Sequence, residues 1–390
     1  MTVPTTVATV YLPTGVAVES YAVAFDVQRG RTSPVFDDID AASGVVVLNN
    51  ETRRFDPLYS SGPYYGSLTP GRQVTVTSGG VTVFDGYAAD WNFDYSVDGR
   101  STATIRLEDG LARLGRQQFD EWTSTYGDTP GARFAAIIAR PEVDWSGATS
   151  FDTGAFVLDT DLITWGSNVL NYCQLVARSD MGYFFVARDG TLTFKDRLAF
   201  IGAPTAAAFG AGGIGIAAIT TSYGVEQLYN KMQLGRVGAA DSVTTDDATS
   251  AATYGGVFTF SQDGLLVQDD TMLTDLATRL LAVYKDPVYR FESITVNVHA
   301  LSGADQSTVL ALDIGDVVTV TWTPNSTGSA IARTCIVDGI RHSVSADRTH
   351  VTELTLNDSS VAQTGHYWTV GDATYGVVSG GGALAYPVAF

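Results

Sequence analysis

Two stretches of the chain read alike: Leu68-Thr-Pro-Gly71-Arg-Gln-Val74-Thr75-Val76-Thr77 and Leu312-Asp-Ile-Gly315-Asp-Val-Val318-Thr319-Val320-Thr321. Leu, Gly, Val, Thr, Val and Thr recur at identical spacing, and each glycine precedes a period-two run of the kind that makes a half-buried strand. Downstream, Phe84-Asp85-Gly86-Tyr87 is matched by Val337-Asp338-Gly339-Ile340, and Thr104-Ile-Arg-Leu107 by Glu353-Leu-Thr-Leu356. The separation of the two glycines grows from 15 in the first copy to 24 in the second, which a longer hairpin loop absorbs at small entropic cost. Val-Thr-Val is cheap in any β-rich chain, so chance convergence competes with duplication; three matches in order favour duplication. The expectation is two similar small β-barrels in one chain, with Leu68, Gly71, Val74, Val76, Asp85 and Gly86 repeated as Leu312, Gly315, Val318, Val320, Asp338 and Gly339.

Working outward, the first 110 residues read as strands. Val16 to Val27 and Gly44-Val-Val-Val-Leu48 are apolar and β-branched, and Gln73–Ser78, Gly79-Gly80, Val81–Phe84 is a hairpin whose glycines supply positive φ. Between 119 and 200 the pattern turns mixed. A short helix over Gly131–Arg140 is flanked by Pro130 and Pro141. A second, over Asp161–Arg178, places Leu162, Trp165, Val169, Cys173 and Val176 on one face and ends at Gly182; a hairpin from Phe184 to Phe194 turns on Asp189-Gly190. Strands return from 213 to 358, interrupted by one helix between Asp270 and Lys285 that Pro287 terminates. The expected organisation is an arm over 1–14, a first barrel over 15–118, an α/β insert with linker over 119–212, a second barrel over 213–358 carrying helix 270–286, and an extension over 359–390 that packs on a neighbour. The fold class is mainly β: two tandem small β-barrels with an inserted α/β domain.

Composition narrows the function. The 390 residues carry 23 Lys+Arg against 42 Asp+Glu, net −19, so a basic groove for nucleic acid is excluded as the organising feature. Only 17% of residues are charged and 45% are apolar, which makes a core-forming chain and not an acidic disordered one. Two cysteines, Cys173 and Cys335, supply neither a disulfide framework nor a four-thiolate zinc site. The N-terminus lacks the basic start of a secretory signal. The uncharged stretch Leu198–Val225 is long enough to cross a bilayer, but Pro204 and its many Gly and Ala make it a linker leading into a strand.

Catalytic motifs are missing. No Lys is followed by Ser or Thr, and neither H-E-x-x-H nor G-x-S-x-G occurs. Gly210-Ala-Gly212-Gly-Ile-Gly215 satisfies G-x-G-x-x-G formally, but its neighbours do not read as a strand before and a helix after, which pyrophosphate binding requires. His299, His342, His350 and His366 fall mostly in strand-like segments; their spacing leaves a Ser-His-Asp arrangement open, but a triad is defined by geometry that sequence does not show. Asp37-Asp38 with Asp40, Asp246-Asp247 and Asp269-Asp270 lack the spacing of a calcium loop or a glycosidase pair. Tyr59, Tyr64 and Tyr65, and Trp91, Phe93 and Tyr95, are either packing residues or sugar-stacking platforms. No catalytic, cofactor-binding or metal-binding residue is assigned.

A family resemblance rests on these same residues. Asp26-Val-Gln-Arg-Gly30, Val46-Val-Leu-Asn-Asn50 with Arg54-Phe-Asp-Pro57, and Leu68-Thr-Pro-Gly-Arg72 resemble the opening of minor tail proteins of siphophages that infect actinobacteria. Leu170–Arg178 followed by Gly182-Tyr-Phe-Phe-Val-Ala-Arg-Asp-Gly-Thr-Leu-Thr-Phe194 is similar to their helix-plus-hairpin element. Leu281–Pro287, Leu312–Val320, Tyr367–Gly376 and Leu384-Ala-Tyr386 resemble the later part; each motif is short, and together they span almost the whole chain.

The resemblance implies a baseplate hub at the phage tail tip: a homotrimer with two tube-like barrels per chain, so that three copies offer six barrels to a sixfold tail tube. It further implies a structural protein of the virion, not an enzyme, made in the host cytoplasm and without a cofactor or an integral membrane segment. Its implied partners are the distal tail protein, the tape measure protein and other tail-tip or fibre proteins, with genomic DNA passing only transiently and no stable nucleic-acid binding. Acids facing the channel would repel phosphate. A carbohydrate-binding tail fibre or adhesin module is the alternative, marked by an exposed aromatic patch; a β-rich hydrolase, marked by a cleft joining two carboxylates, is the third reading.

Overall fold

Alternation of β-branched residues builds most of this chain into one sheet. The computed structural model describes residues 4–11, 15–18, 21–31 and 38–358; the fold is mainly β, 40% strand against 18% helix. Seven strands come first: β1 (Thr6–Tyr11), β2 (Gly15–Ala17), β3 (Ala22–Gly30), β4 (Ser43–Asn49), β5 (Gln73–Ser78), β6 (Val81–Tyr95) and β7 (Ser101–Glu108). An α/β unit follows with α1 (Gly110–Leu114), β8 (Trp122–Thr123), α2 (Pro130–Ile138), β9 (Thr149–Phe151), β10 (Leu162–Ile163), α3 (Val169–Asp180), β11 (Tyr183–Val186) and β12 (Leu192–Lys195). The chain returns to the main sheet as β13 (Thr205–Gly210) and β14 (Ala218–Ser222), then leaves it for β15 (Lys231–Arg236), β16 (Val243–Asp246), α4 (Ala248–Thr253), β17 (Thr259–Leu265) and α5 (Asp270–Tyr284). It ends as β18 (Arg290–Asn297), α6 (Gly303–Ala311), β19 (Val317–Trp322), β20 (Ile331–Val344) and β21 (His350–Asp358).

The main sheet has 13 strands, and its two halves follow one plan. The first runs β3-β4-β7-β6-β5-β1 and the second β14-β18-β21-β20-β19-β13. Agreement extends to single rungs. Val74 lies opposite Gly86 and Val318 opposite Cys335; Ala88 opposite Leu107 and Val337 opposite Leu356; Val46 opposite Ile105 and Ile294 opposite Leu354. Both long strands bulge at the same place, β6 between Ala88 and Asp90, β20 between Val337 and Gly339. Gly71 and Gly315 both take positive φ, +80° and +82°, and donate to the matching carbonyls of Ala88 (2.7 Å) and Val337 (2.8 Å). Only glycine holds that backbone at little cost. The halves part company at the outer strand, where β1 runs antiparallel to β5 but β13 parallel to β19.

This ladder revises one detail of the sequence match. It sets Ala89 against Asp338, and Asp85-Gly86 against Thr334-Cys335, so the two Asp-Gly pairs stand four residues out of step. Their glycines answer separate close approaches. A Cβ on Gly86 would lie 2.4 Å from the Glu108 carbonyl oxygen, and one on Gly339 would lie 2.3 Å from that of Arg31.

The halves are joined, not separate. Strand β3 pairs with β20 over six rungs, from Gly30 opposite Gly339 to Phe25 opposite Val344. One hydrophobic cluster runs beneath both, with Val46, Val76 and Ile105 from the first half and Ile294, Val320 and Leu354 from the second. Among the described strands, pairing closes neither half on itself.

Three further cores lie beside the sheet, one of them Tyr183, Phe185 and Phe200 against Ile314, Val317 and Ile336. The α/β unit packs Phe134, Cys173, Val176, Phe184 and Phe194 together. The β16-β15-β17 sheet packs Met232, Leu234 and Leu265 against Leu273, Leu276, Leu280 and Tyr284 of α5, a unit that the pattern over 213–358 did not disclose. Several local expectations also shift. Helix α3 starts at Val169, because Gly166 sits at φ +82° and the Asn168 side chain accepts the Asn171 N–H (3.0 Å) as the cap. Leu162 therefore lies in β10, and Trp165 is exposed in a turn. The supposed linker holds β13 and β14; residues 6–11 of the expected arm form β1. The expected extension over 359–390, with His366, lies outside the described residues, as does Asp37.

Candidate functional surface

Alternation along the strands gives the main sheet two unlike faces. One carries the Val, Ile, Leu and Phe of the core. The other is covered by the α/β unit where Val317 and Ile336 meet Tyr183 and Phe185, and elsewhere opens to solvent and is rich in hydroxyls: Thr220, Ser293 and Thr355 stand abreast in the second half, Thr104 and Asn92 in the first, with Thr102 beside Asp94. A charged row runs across the join, from Glu353 to Arg341 to Gln28; another runs from Ser343 through Asp26, Val45 and Arg106 to Asp90. This face therefore holds the carboxylates Asp26, Asp90, Asp94, Glu108 and Glu353 against the guanidiniums of Arg106 and Arg341, with Glu108 bonded to Arg116. Arg341 bonds Asp26 at 3.0 Å across the seam between the halves; as a half-exposed pair it adds well under about 1 kcal/mol. The face is polar, slightly acidic and without lysine.

The seam itself is locked by buried polar groups. Arg29 of β3 donates to Asp313, in the turn ahead of β19, at 2.6 Å. Asp338, the bulged residue of β20, accepts from the Tyr183 hydroxyl of β11 at 2.5 Å, with Arg31 at 3.6 Å. Burial pushes both the Asp338 carboxyl and the Tyr183 hydroxyl up from their ordinary values. Asp85, its partner in the sequence match, instead accepts from Thr75 (2.7 Å) and Gln73 (3.1 Å). The other repeat positions, Leu68, Val74, Val76, Leu312, Val318 and Val320, are buried core.

The histidines form a network, not a triad. Ser78 lies 3.2 Å from His350 Nδ1, His350 lies 3.4 Å from His342, and His342 lies 2.9 Å from the Thr352 hydroxyl. Ser78, His342, His350 and Thr352 are all buried, and among the described residues no carboxylate bonds either ring. Burial holds the His350 imidazole down at about 4 and His342 well below its ordinary range. The acid clusters have local partners. Asp38 bonds Arg178, Asp247 caps α4 and bonds Lys285 at 3.0 Å, Asp269 caps α5, and Asp270 bonds Arg236 at 2.6 Å. Among the described residues no group of three or more His, Cys, Asp or Glu is placed to hold a metal ion.

Cys173 and Cys335 are free and buried, with burial pushing the Cys335 thiol up to about 12. Gly210–Gly215 does follow a strand, β13, contrary to the sequence reading; no helix succeeds it, and Gly210 donates to Ile214 in a tight turn. Of the two aromatic groups, Tyr65 and Tyr95 are exposed and the other four residues pack on their own molecule. Tyr64 stacks on Phe55 at 5.5 Å, Arg53 covers Tyr59, and Trp91 and Phe93 rest on the main core. No described helix is long and apolar enough to cross a membrane.

No protein-family profile matches the chain, and no curated protein matches it. Solved structures do. A tail protein from Neisseria meningitidis is similar at TM-score 0.63 and 16% identity, over 92% of this chain and 98% of that one. A 43 kDa prophage tail protein from Shewanella oneidensis is similar at TM-score 0.61 and 14% identity, over 92% and 98%. A type VI secretion component of Escherichia coli, itself described as resembling phage tail proteins, is similar at TM-score 0.51 and 10% identity, over 87% and 73%. At these identities the likeness establishes the fold: it is the fold of phage-tail proteins.

Proposed function

We propose that this chain is a structural component of a phage-type tail, and specifically a tail-tip hub of the siphophage kind. Three copies form a ring that joins a sixfold tail tube to a threefold tip. One observation carries the reading: the two halves of the main sheet match in strand order, rung pairing, bulge position and glycine turns. A chain that presents one design twice offers six near-equivalent positions when three copies close around an axis. We read 15–118 and 213–358 as the duplicated units, each completed at its outer edge by a strand from outside those bounds, β1 and β13; 119–212 is otherwise an insert with its own core, and 359–390 a contact with a neighbour.

The mechanism is passive conduction. If the hydroxyl-rich face lines the channel, tape measure protein and DNA meet a surface with few charges, a small acidic excess and no lysine. Its two guanidiniums are matched by carboxylates, Arg341 bonded to Asp26 and Arg106 opposite Asp90, so the lining offers phosphate little unpaired positive charge. Most of the −19 charge lies elsewhere, where it keeps copies soluble before assembly. The proposed partners are the distal tail protein above, the tape measure protein within and fibre proteins outside. The proposed location is the virion. A carbohydrate platform is not favoured, since Tyr59, Tyr64, Trp91 and Phe93 pack on Arg53, Phe55 and the core and leave only Tyr65 and Tyr95 exposed from the two groups. The test is the native mass of purified protein. The reading expects about 124 kDa, three times 41.4 kDa, and is overturned by a 41.4 kDa species at every concentration.

A further inference from the structure

We infer that copies of this chain join by β-pairing of the distal half of β6 in one copy with β14 of the next, in the register already used inside the chain by β20 and β3. The inference rests on the ring reading above and supplies its contact. Within the chain, β20 divides one edge between two partners: Val317–Trp322 of β19 cover its first part and β3 its second. Strand β6 is its counterpart and divides only half as far. Its ladder with β5 ends at Tyr87 opposite Gln73, and from Asp90 to Tyr95 it pairs with β7 alone among the described strands. Strand β14, the counterpart of β3, stands at the end of the sheet with β18 as its sole partner among the described strands. Each copy thus ends in one half of a seam whose complete form exists at its centre. Unpaired edges invite such addition.

The side chains fit that register. Because Ala88 matches Val337, and Phe25 and Ile219 face the matched Val46 and Ile294, the internal pairing can be carried across residue by residue. It sets Tyr95 opposite Ile219, Phe93 opposite Thr221 and Trp91 opposite Tyr223 of the next copy. In the internal seam these positions are Val344 with Phe25, His342 with Val27 and Ile340 with Arg29, the core-facing side. On the solvent side, Asp94 meets Thr220 and Asn92 meets Ser222, polar against polar. Apolar rows meet and polar rows meet; a slip by one residue would cross them. Tyr95 and Tyr223, 53% and 67% exposed in the single chain, are the large side chains this pairing covers. The two edges differ, so the contact is head-to-tail, and such contacts build rings.

Disulfide trapping tests this on the full chain. Asp94→Cys with Thr220→Cys places thiols on directly opposed residues, within the reach of a disulfide. Asp90→Cys with Thr220→Cys, slipped by four residues, places them about 13 Å apart along the strand and beyond it. The native thiols are buried and give little background. Mild oxidation of assembled protein should give reducible covalent multimers from the first pair, at least about tenfold over the slipped pair. A trimer by mass that cross-links equally or not at all overturns the seam and leaves the ring standing. A monomer at every concentration overturns both.

Discussion

Gly30→Ala strikes the place where the two halves touch most closely. Gly30 sits at φ +85°, and a Cβ there would lie 2.2 Å from the carbonyl oxygen of Asp338 and 2.7 Å from the Gly339 Cα. The left-handed backbone alone costs an alanine about 1–2 kcal/mol. Both clashing atoms are main chain, so β3 and β20 must separate, adding about 1–3 kcal/mol of overpacking strain. The total is about 2–5 kcal/mol. Gly71→Ala is the control, because Gly71 has the same kind of φ, +80°, with open space around it, and should lose only the first contribution. Urea unfolding followed by far-UV circular dichroism gives both losses. Hydrogen exchange adds a local readout: the Arg31 amide, bonded to Asp338 at 2.9 Å, should exchange faster in Gly30→Ala and not in Gly71→Ala. Equal destabilisation by the two variants, with no change at the Arg31 amide, would refute the close seam.

Further outcomes follow from the buried polar groups. Arg133→Leu should cost about 3–5 kcal/mol in thermal or urea unfolding: the buried guanidinium bonds Asp128 (3.1 Å), Tyr172 (2.9 Å) and the carbonyls of Thr125 (2.9 Å) and Asp159 (3.0 Å), all left without it; a loss under about 1 kcal/mol would show that water takes over these bonds. His350 should stay neutral down to pH of about 4 by NMR titration of its ring. Its folded value lies below the ordinary one near 6.5, so its contribution is complete above about pH 6.5 and falls by about 3 kcal/mol as pH drops towards 4. Asp109 and Asp180, raised by burial to about 7, work in the opposite direction over that range, so the comparison of wild type with His350→Gln isolates the histidine; a parallel pH dependence of the two proteins would contradict it.

Much of the architecture was legible because its causes are local. The Gly79-Gly80 turn, at φ +56° and +80°, announces its hairpin. The face Leu273, Leu276, Leu280 and Tyr284 announces α5, and Pro287 its end. The Leu-x-x-Gly motif was legible for a reason now visible: Gly71 and Gly315 both need positive φ beside the same bulge. Other features were misread where a motif carried no geometry. The Asp-Gly match joined two glycines that answer unrelated close approaches. Leu162 and Trp165 fitted a helical period, but Gly166 and the Asn168 cap lie between them and the helix. Helix α6 had a signal that was passed over, Ser302 three residues before Asp305, whose side chain accepts the Asp305 N–H. The pairing of β3 with β20 had no local sign at all, since it joins residues more than 300 apart and depends on an edge left free by other strands. The open edges of β6 and β14 were hidden for the same reason.

The symmetry of the assembled protein, imaged by single-particle electron microscopy, tests the central claim most directly. A threefold ring with six near-equivalent sheet halves around its axis, each copy giving two, is the predicted result. A particle whose two halves occupy unrelated environments, or that has no threefold axis, would contradict it.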